Sequence, residues 1–60
     1  MKWYDIKWET HHHRAGGMGR FEGTDVEDVK ERVRQAVREN SDFNLTDEEI
    51  EKLVIEVEEV

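Results

Sequence analysis

The chain opens with a regular alternation. From Lys2 to His12, Tyr4, Ile6, Trp8 and Thr10 fall on one side of an extended backbone, and Trp3, Asp5, Lys7 and Glu9 fall on the other. Successive side chains of a strand point to opposite faces, so a period of two built from aromatic and β-branched residues predicts a strand over about residues 2–12. The period changes after residue 24. Val26, Val29, Val33, Ala36 and Val37 recur at three- and four-residue spacing, the stripe of an amphipathic helix. Thr24-Asp25-Val26-Glu27 reads as a capping box at its start. Asp25, Glu27 and Asp28 lie in the first turn and Arg32, Arg34 and Arg38 later, which suits the helix dipole. A helix is expected over about 25–39, ending near Asn40-Ser41.

A second capping box stands at Thr46-Asp47-Glu48-Glu49. The C-terminal run after it fits two periods. Ile50, Leu53, Val54 and Val57 share one face of a helix, whereas Leu53, Ile55 and Val57 alternate with Val54, Glu56 and Glu58 as in a strand. Ile55 falls off the helical stripe and the run is rich in β-branched residues, which favours a short helix to about Lys52 and a strand over 53–60.

Residues 14–23 hold all four glycines and read as a Gly-rich connecting loop from which Met18 and Phe21 fold back onto the core. With that segment a loop, only two strands remain, and the strand–helix–strand order makes them parallel through a right-handed crossover. The fold class expected is therefore α/β (or α+β). It is a small two-layer strand-helix-(short helix)-strand unit in one domain, residues 1–60, with the main helix packed on a minimal sheet. Two strands are marginal as a sheet, and Trp3, Val54 and Val60 leave its outer face too apolar for water. Pairing with another chain is the expected remedy, most simply a homodimer.

Composition sharpens this expectation. A chain of 60 residues buries only about 60% of its unfolded surface, so its stability is marginal without help. The absence of cysteine removes disulfides and thiolate metal sites together. No apolar run approaches membrane-spanning length, and Met1-Lys2-Trp3-Tyr4-Asp5 lacks the apolar centre of a signal peptide, so the expected location is the cytoplasm, with no membrane partner. The net charge of −7 is unevenly spread. Residues 1–41 are balanced, whereas residues 42–60 carry eight acids against Lys52 alone. Such asymmetry bears on partners and solubility rather than on fold.

Four groups of residues invite a chemical reading. His11 and His13 would project to one side of a continuing strand, with Glu9 beside them, but two imidazoles leave a structural zinc site two ligands short, so no metal and no cofactor is expected. Arg14, Gly16, Gly17, Gly19 and Arg20 would lie between a strand and a helix N-terminus, a neighbourhood that suits anions. The glycine spacing there fits neither the dinucleotide fingerprint nor a P-loop. Lys30, Arg34 and Arg38 form one helical ridge that could meet a phosphate backbone, but Glu27 and Glu31 lie beside it and the overall charge opposes nucleic acid. Catalytic residues are not expected: Ser41 is the only serine, His12 has no visible partner, and the carboxylates sit where caps and exposed strand faces would put them.

The expected function is a small acidic, non-enzymatic protein-interaction module, a regulator or inhibitor of the kind phages and mobile elements encode. It would bind through Trp3, Val54, Glu56 and Glu58. The alternative is an anion or nucleic-acid binder working through the Arg/Gly segment at 14–20.

Overall fold

The computed structural model describes residues 1–40 and 42–60. The helix end anticipated at Asn40-Ser41 and the lone serine Ser41 therefore lie in part outside the described residues. Three strands and two helices follow in the order β1 (Lys2–Glu9), β2 (Gly16–Gly23), α1 (Val26–Glu39), α2 (Asp47–Glu51) and β3 (Val54–Glu59). The strands form one sheet in the order β2-β1-β3, with both helices on one face, an α+β arrangement.

The alternation of β1 buries what it predicts: Tyr4, Ile6, Trp8 and Thr10 are buried, and Asp5 and Lys7 are exposed. Val29, Val33 and Val37 of α1 pack against that face, with Ile50 and Leu53 completing the core. Phe43 meets Trp8 edge to face, ring centroids 5.0 Å apart. The short helix and the strand after it form as expected. Thr46 Oγ1 accepts from Glu49 N–H while Glu49 Oε1 accepts from Thr46 N–H, and five residues later the chain is extended.

Several expectations need correction. Residues 16–23 are a strand rather than a loop, and they pair antiparallel with β1 in the register Trp8↔Gly17, Ile6↔Gly19, Tyr4↔Phe21. β3 joins the other edge of β1, also antiparallel, with Tyr4↔Glu59 and Trp8↔Ile55. The parallel pair and its crossover are thereby replaced by a central first strand with an antiparallel neighbour on each side. β1 stops at Glu9 rather than His12, because Thr10 turns the chain: its N–H donates to Ala15 C=O at 2.9 Å, and its buried Oγ1 accepts from Arg14 N–H and Ala15 N–H at 2.7 and 3.2 Å. His13 takes the left-handed conformation that this turn requires, with φ 57°.

α1 is capped by Asp25 rather than Thr24. Asp25 Oδ1 accepts from Asp28 N–H, and Asp28 Oδ2 accepts from Thr24 N–H, so the reciprocal pattern is shifted along the chain by one residue. Phe21 packs against the core as expected, but Met18 stands on the opposite face at 78% exposure.

The glycines of β2 explain themselves by contact. None has positive φ. Gly17, Gly19 and Gly23 share the inner face of β2 with Phe21, by their pairing with Trp8, Ile6 and Lys2. A Cβ on Gly17 would lie 2.9 Å from Trp8 Nε1, and one on Gly23 would lie 2.6 Å from Val29 Cγ2. These are places where an aromatic ring and a buried helix residue come up against backbone, the close approach that glycine permits in a strand.

Candidate interaction surface

One face of the sheet carries both helices, and the other carries no element among the described residues. The register fixes what stands on the open face. Trp3 lies between Glu22 and Val60, Asp5 between Arg20 and Glu58, Lys7 between Met18 and Glu56, and Glu9 between Gly16 and Val54. Trp3, Met18, Val54 and Val60 are 52%, 78%, 53% and 64% exposed. Among the described residues Val26 is the one large apolar side chain that is strongly exposed away from the open face or the terminal Met1 beside it. The apolar surface that the fold fails to bury is thus gathered on one side.

The same face is acidic. Arg20 Nε donates to Asp5 Oδ1 at 2.9 Å, which holds the guanidinium charge firmly and raises the Arg20 pKa. Glu56 and Glu58 form no ion pair among the described residues. Together with Asp5, Lys7 and Met18 they line a shallow depression of about 250 Å³. Apolar side chains thus stand at both ends of this face, Trp3 with Val60 at one and Val54 at the other, with the charged rows of Asp5, Arg20, Glu56 and Glu58 between them. Exposed apolar groups set among charges suit a surface that meets another protein.

Trp3 and Val54, singled out from alternation, and Glu56 and Glu58, from the acidic C-terminal third, therefore share one surface. Met18, Arg20 and Glu22 belong to it as well and were not foreseen. Their signal lay in the period of Gly17-x-Gly19-x-Phe21-x-Gly23 against Met18-x-Arg20-x-Glu22, which is a strand alternation with glycine in place of the apolar half.

The structure brings Arg14 and Arg20 to different partners. Arg14 reaches α2 across the core edge, where Nε and Nη2 donate to the two oxygens of Glu49 at 3.1 and 2.8 Å. Glu49 is only 13% exposed, and these bonds together with the one from Thr46 N–H lower its pKa to about 2. Gly16, Gly17 and Gly19 lie in the ladder with β1, so their segment offers no free helix-terminal cradle between the two arginines. Of the helical ridge, Arg38 pairs with Asp47 at 2.6 Å and Arg34 with Glu31 at 3.6 Å, while Lys30 is half-buried.

The histidines occupy the β1–β2 turn and not a strand. His13 Nδ1 is 2.8 Å from Glu9 Oε1, while His11 stacks on His12 with ring centroids 3.7 Å apart. His11 and His13 therefore do not share a strand face with Glu9, and among the described residues no three His, Asp or Glu side chains converge as a metal site would require. No described helix is long and apolar enough to cross a membrane.

Compared with models of known families, with curated proteins and with solved structures, the chain matches none.

Proposed function

We propose that this chain is a non-enzymatic protein-interaction module, a small regulator or inhibitor that binds a basic polypeptide surface through the open face of its sheet. Trp3, Val54 and Val60 supply the apolar contact, and Glu56 and Glu58 supply the charge. The observation that carries the reading is the coincidence, among the described residues, of exposed apolar side chains and carboxylates without ion pairs on the face that no layer covers. Buried aromatic anchors dominate binding energy in interfaces of this kind, and charge complementarity governs approach and register.

The anion-binding alternative receives less support. Its two arginines are engaged by Glu49 and Asp5, and of its glycines Gly16 and Gly17 are accounted for by close approach to Trp8.

The test is affinity capture from nuclease-treated native extract with the wild-type chain, Trp3→Ala, and the double variant Glu56→Lys/Glu58→Lys. A polypeptide retained by the wild type and lost with both variants supports the proposal. Capture that disappears with nuclease, or that is the same for all three chains, overturns it. Aggregation of the double variant with capture intact would mean that the carboxylates serve only to keep an edge strand soluble.

A further inference from the structure

A second surface is independent of the open face. β2 is an edge strand, and its backbone polarity can be read from the ladder. Val60 N–H donates to Trp3 C=O and Thr10 N–H to Ala15 C=O. Odd-numbered residues of β1 therefore bond toward β3 and even-numbered ones toward β2, since antiparallel pairs alternate in this way. Gly17, Gly19 and Phe21 accordingly bond toward β1, while Gly16, Met18, Arg20 and Glu22 direct their N–H and C=O groups away from the sheet. Beside this edge, between β2 and the C-terminal half of α1, lies an apolar groove of about 210 Å³ lined by Trp8, Gly17, Phe21, Ala36, Val37 and Phe43.

We infer that this edge and groove are completed by a second copy of the chain, β2 pairing antiparallel with β2 about a twofold axis at Gly19 to give a continuous six-stranded sheet. The residues themselves select the register. With Gly19 opposite itself, Phe21 of each copy stands opposite Gly17 of the other in a close, non-hydrogen-bonded pair. An aromatic ring beside a cross-strand glycine is a stabilising pair, and since the space over Gly17 is filled by Trp8, the ring here lies along the indole at the rim of the groove. On the open face Met18 then lies opposite Arg20 and Gly16 opposite Glu22, so no like charges meet. A register shifted to centre on Arg20 would place two guanidiniums directly opposite each other, and one centred on Phe21 would leave much of each strand unpaired.

The other edge of the sheet does not fit this use. β3 presents Glu56, Glu58 and Glu59 within four residues, and pairing it with its own copy would set carboxylates against carboxylates. β2 has no such protection: its one acid and one base are balanced, and four of its eight residues are glycine.

The native chain has no cysteine, which makes a covalent test clean. A Cβ at Gly19 meets only Phe21 Cε1 at 3.8 Å, so Gly19→Cys is sterically tolerated. Wild-type protein is expected to sediment at twice its 7.2 kDa chain mass in the micromolar range. Gly19→Cys should form an intermolecular disulfide on mild oxidation. Met18→Cys should not, since equivalent Met18 positions are diagonal across the axis, about 7–8 Å apart, beyond disulfide reach. Met18→Pro, which removes an outward N–H while sparing the β1 ladder, should be monomeric with an unchanged circular dichroism spectrum; if it does not fold, the cysteine pair decides. A monomer of 7.2 kDa up to millimolar concentration overturns the inference, as does a dimer in which Gly19→Cys fails to cross-link. Trp3→Ala, which strikes at the open face, leaves this dimer intact.

Discussion

The indole of Trp8 occupies the space that a side chain on Gly17, its cross-strand partner, would need. Gly23 has the same relation to Val29, the most deeply buried residue of α1. These contacts separate the glycines of β2 into those the core requires and one it does not. Gly17→Ala and Gly23→Ala should each destabilise the chain by about 1–3 kcal/mol, because the atoms in the way belong to a packed ring and a buried helix residue. Gly19→Ala makes only an ordinary contact with Phe21 and should be neutral or stabilising by up to about 1 kcal/mol through reduced freedom of the unfolded chain. Urea titration of the three variants checks the order.

Thr10 is fully buried, and its hydroxyl oxygen accepts from two backbone N–H groups of the β1–β2 turn. Thr10→Val keeps the volume and strands both donors. A loss of about 1–3 kcal/mol is expected, whereas Thr10→Ser should lose less because the acceptor remains. Amide hydrogen exchange at Arg14 and Ala15 should accelerate in the valine variant before global unfolding does.

The Arg14–Glu49 pair ties the β1–β2 turn to α2 and gives the stability a defined pH dependence. The Glu49 carboxyl has a pKa of about 2 in the folded chain against 4.5 ordinarily, chiefly through its bond from Arg14. A folded-state pKa below the unfolded one means that the unfolded chain binds the proton more readily, so the stabilisation is present above about pH 4.5 and is lost as the pH falls toward 2. Asp28 and Glu48 are also lowered, by the bond from Thr24 N–H and by Lys52 respectively, and add in the same direction. Thermal melts from pH 7 to 2 should fall across this window, and Glu49→Gln should flatten the fall.

The two tryptophans stand on opposite faces of β1 and should behave oppositely. Trp8→Ala removes a buried ring from the centre of the core and should cost about 3–5 kcal/mol, enough to unfold a chain of this size. Trp3→Ala should leave the melting temperature nearly unchanged, because the side chain is half exposed. Fluorescence reports both: quenching by iodide should be strong for Trp3, measured in Trp8→Phe, and weak for Trp8, measured in Trp3→Phe.

Much of the architecture was legible in residue order because each legible element carried its own signal. β1 alternated, α1 had a valine stripe, and α2 had a capping box that forms as written. The strand after α2 was legible because Ile55 broke the helical period. β2 was not, for a physical reason. The contacts with Trp8 and Val29 demand glycine at 17 and 23, and with glycine at 19 as well only Phe21 of the inward half remained apolar, too little to identify a strand. The mistaken parallel pairing came from that single omission, since two strands separated by a helix are parallel only when no third strand intervenes. The open face was legible in Trp3, Val54, Glu56 and Glu58 by parity along β1 and β3, and illegible in Met18 and Arg20 because they lie on the strand that glycine disguised. The partners of Arg14 and Arg20 are set by strand register and by the position of α2, neither of which spacing along the chain encodes.

The antiparallel pairing of β1 with β3 places the first and last strands side by side, with Val60 bonded to Trp3. The backbone is thus nearly a closed ring. A short hairpin linker could join Val60 to Lys2 without moving either strand, and new ends could be opened among the exposed His12 and His13. Such a circular permutant would keep every strand neighbour while moving the central strand from the first position in this sequence order to the last.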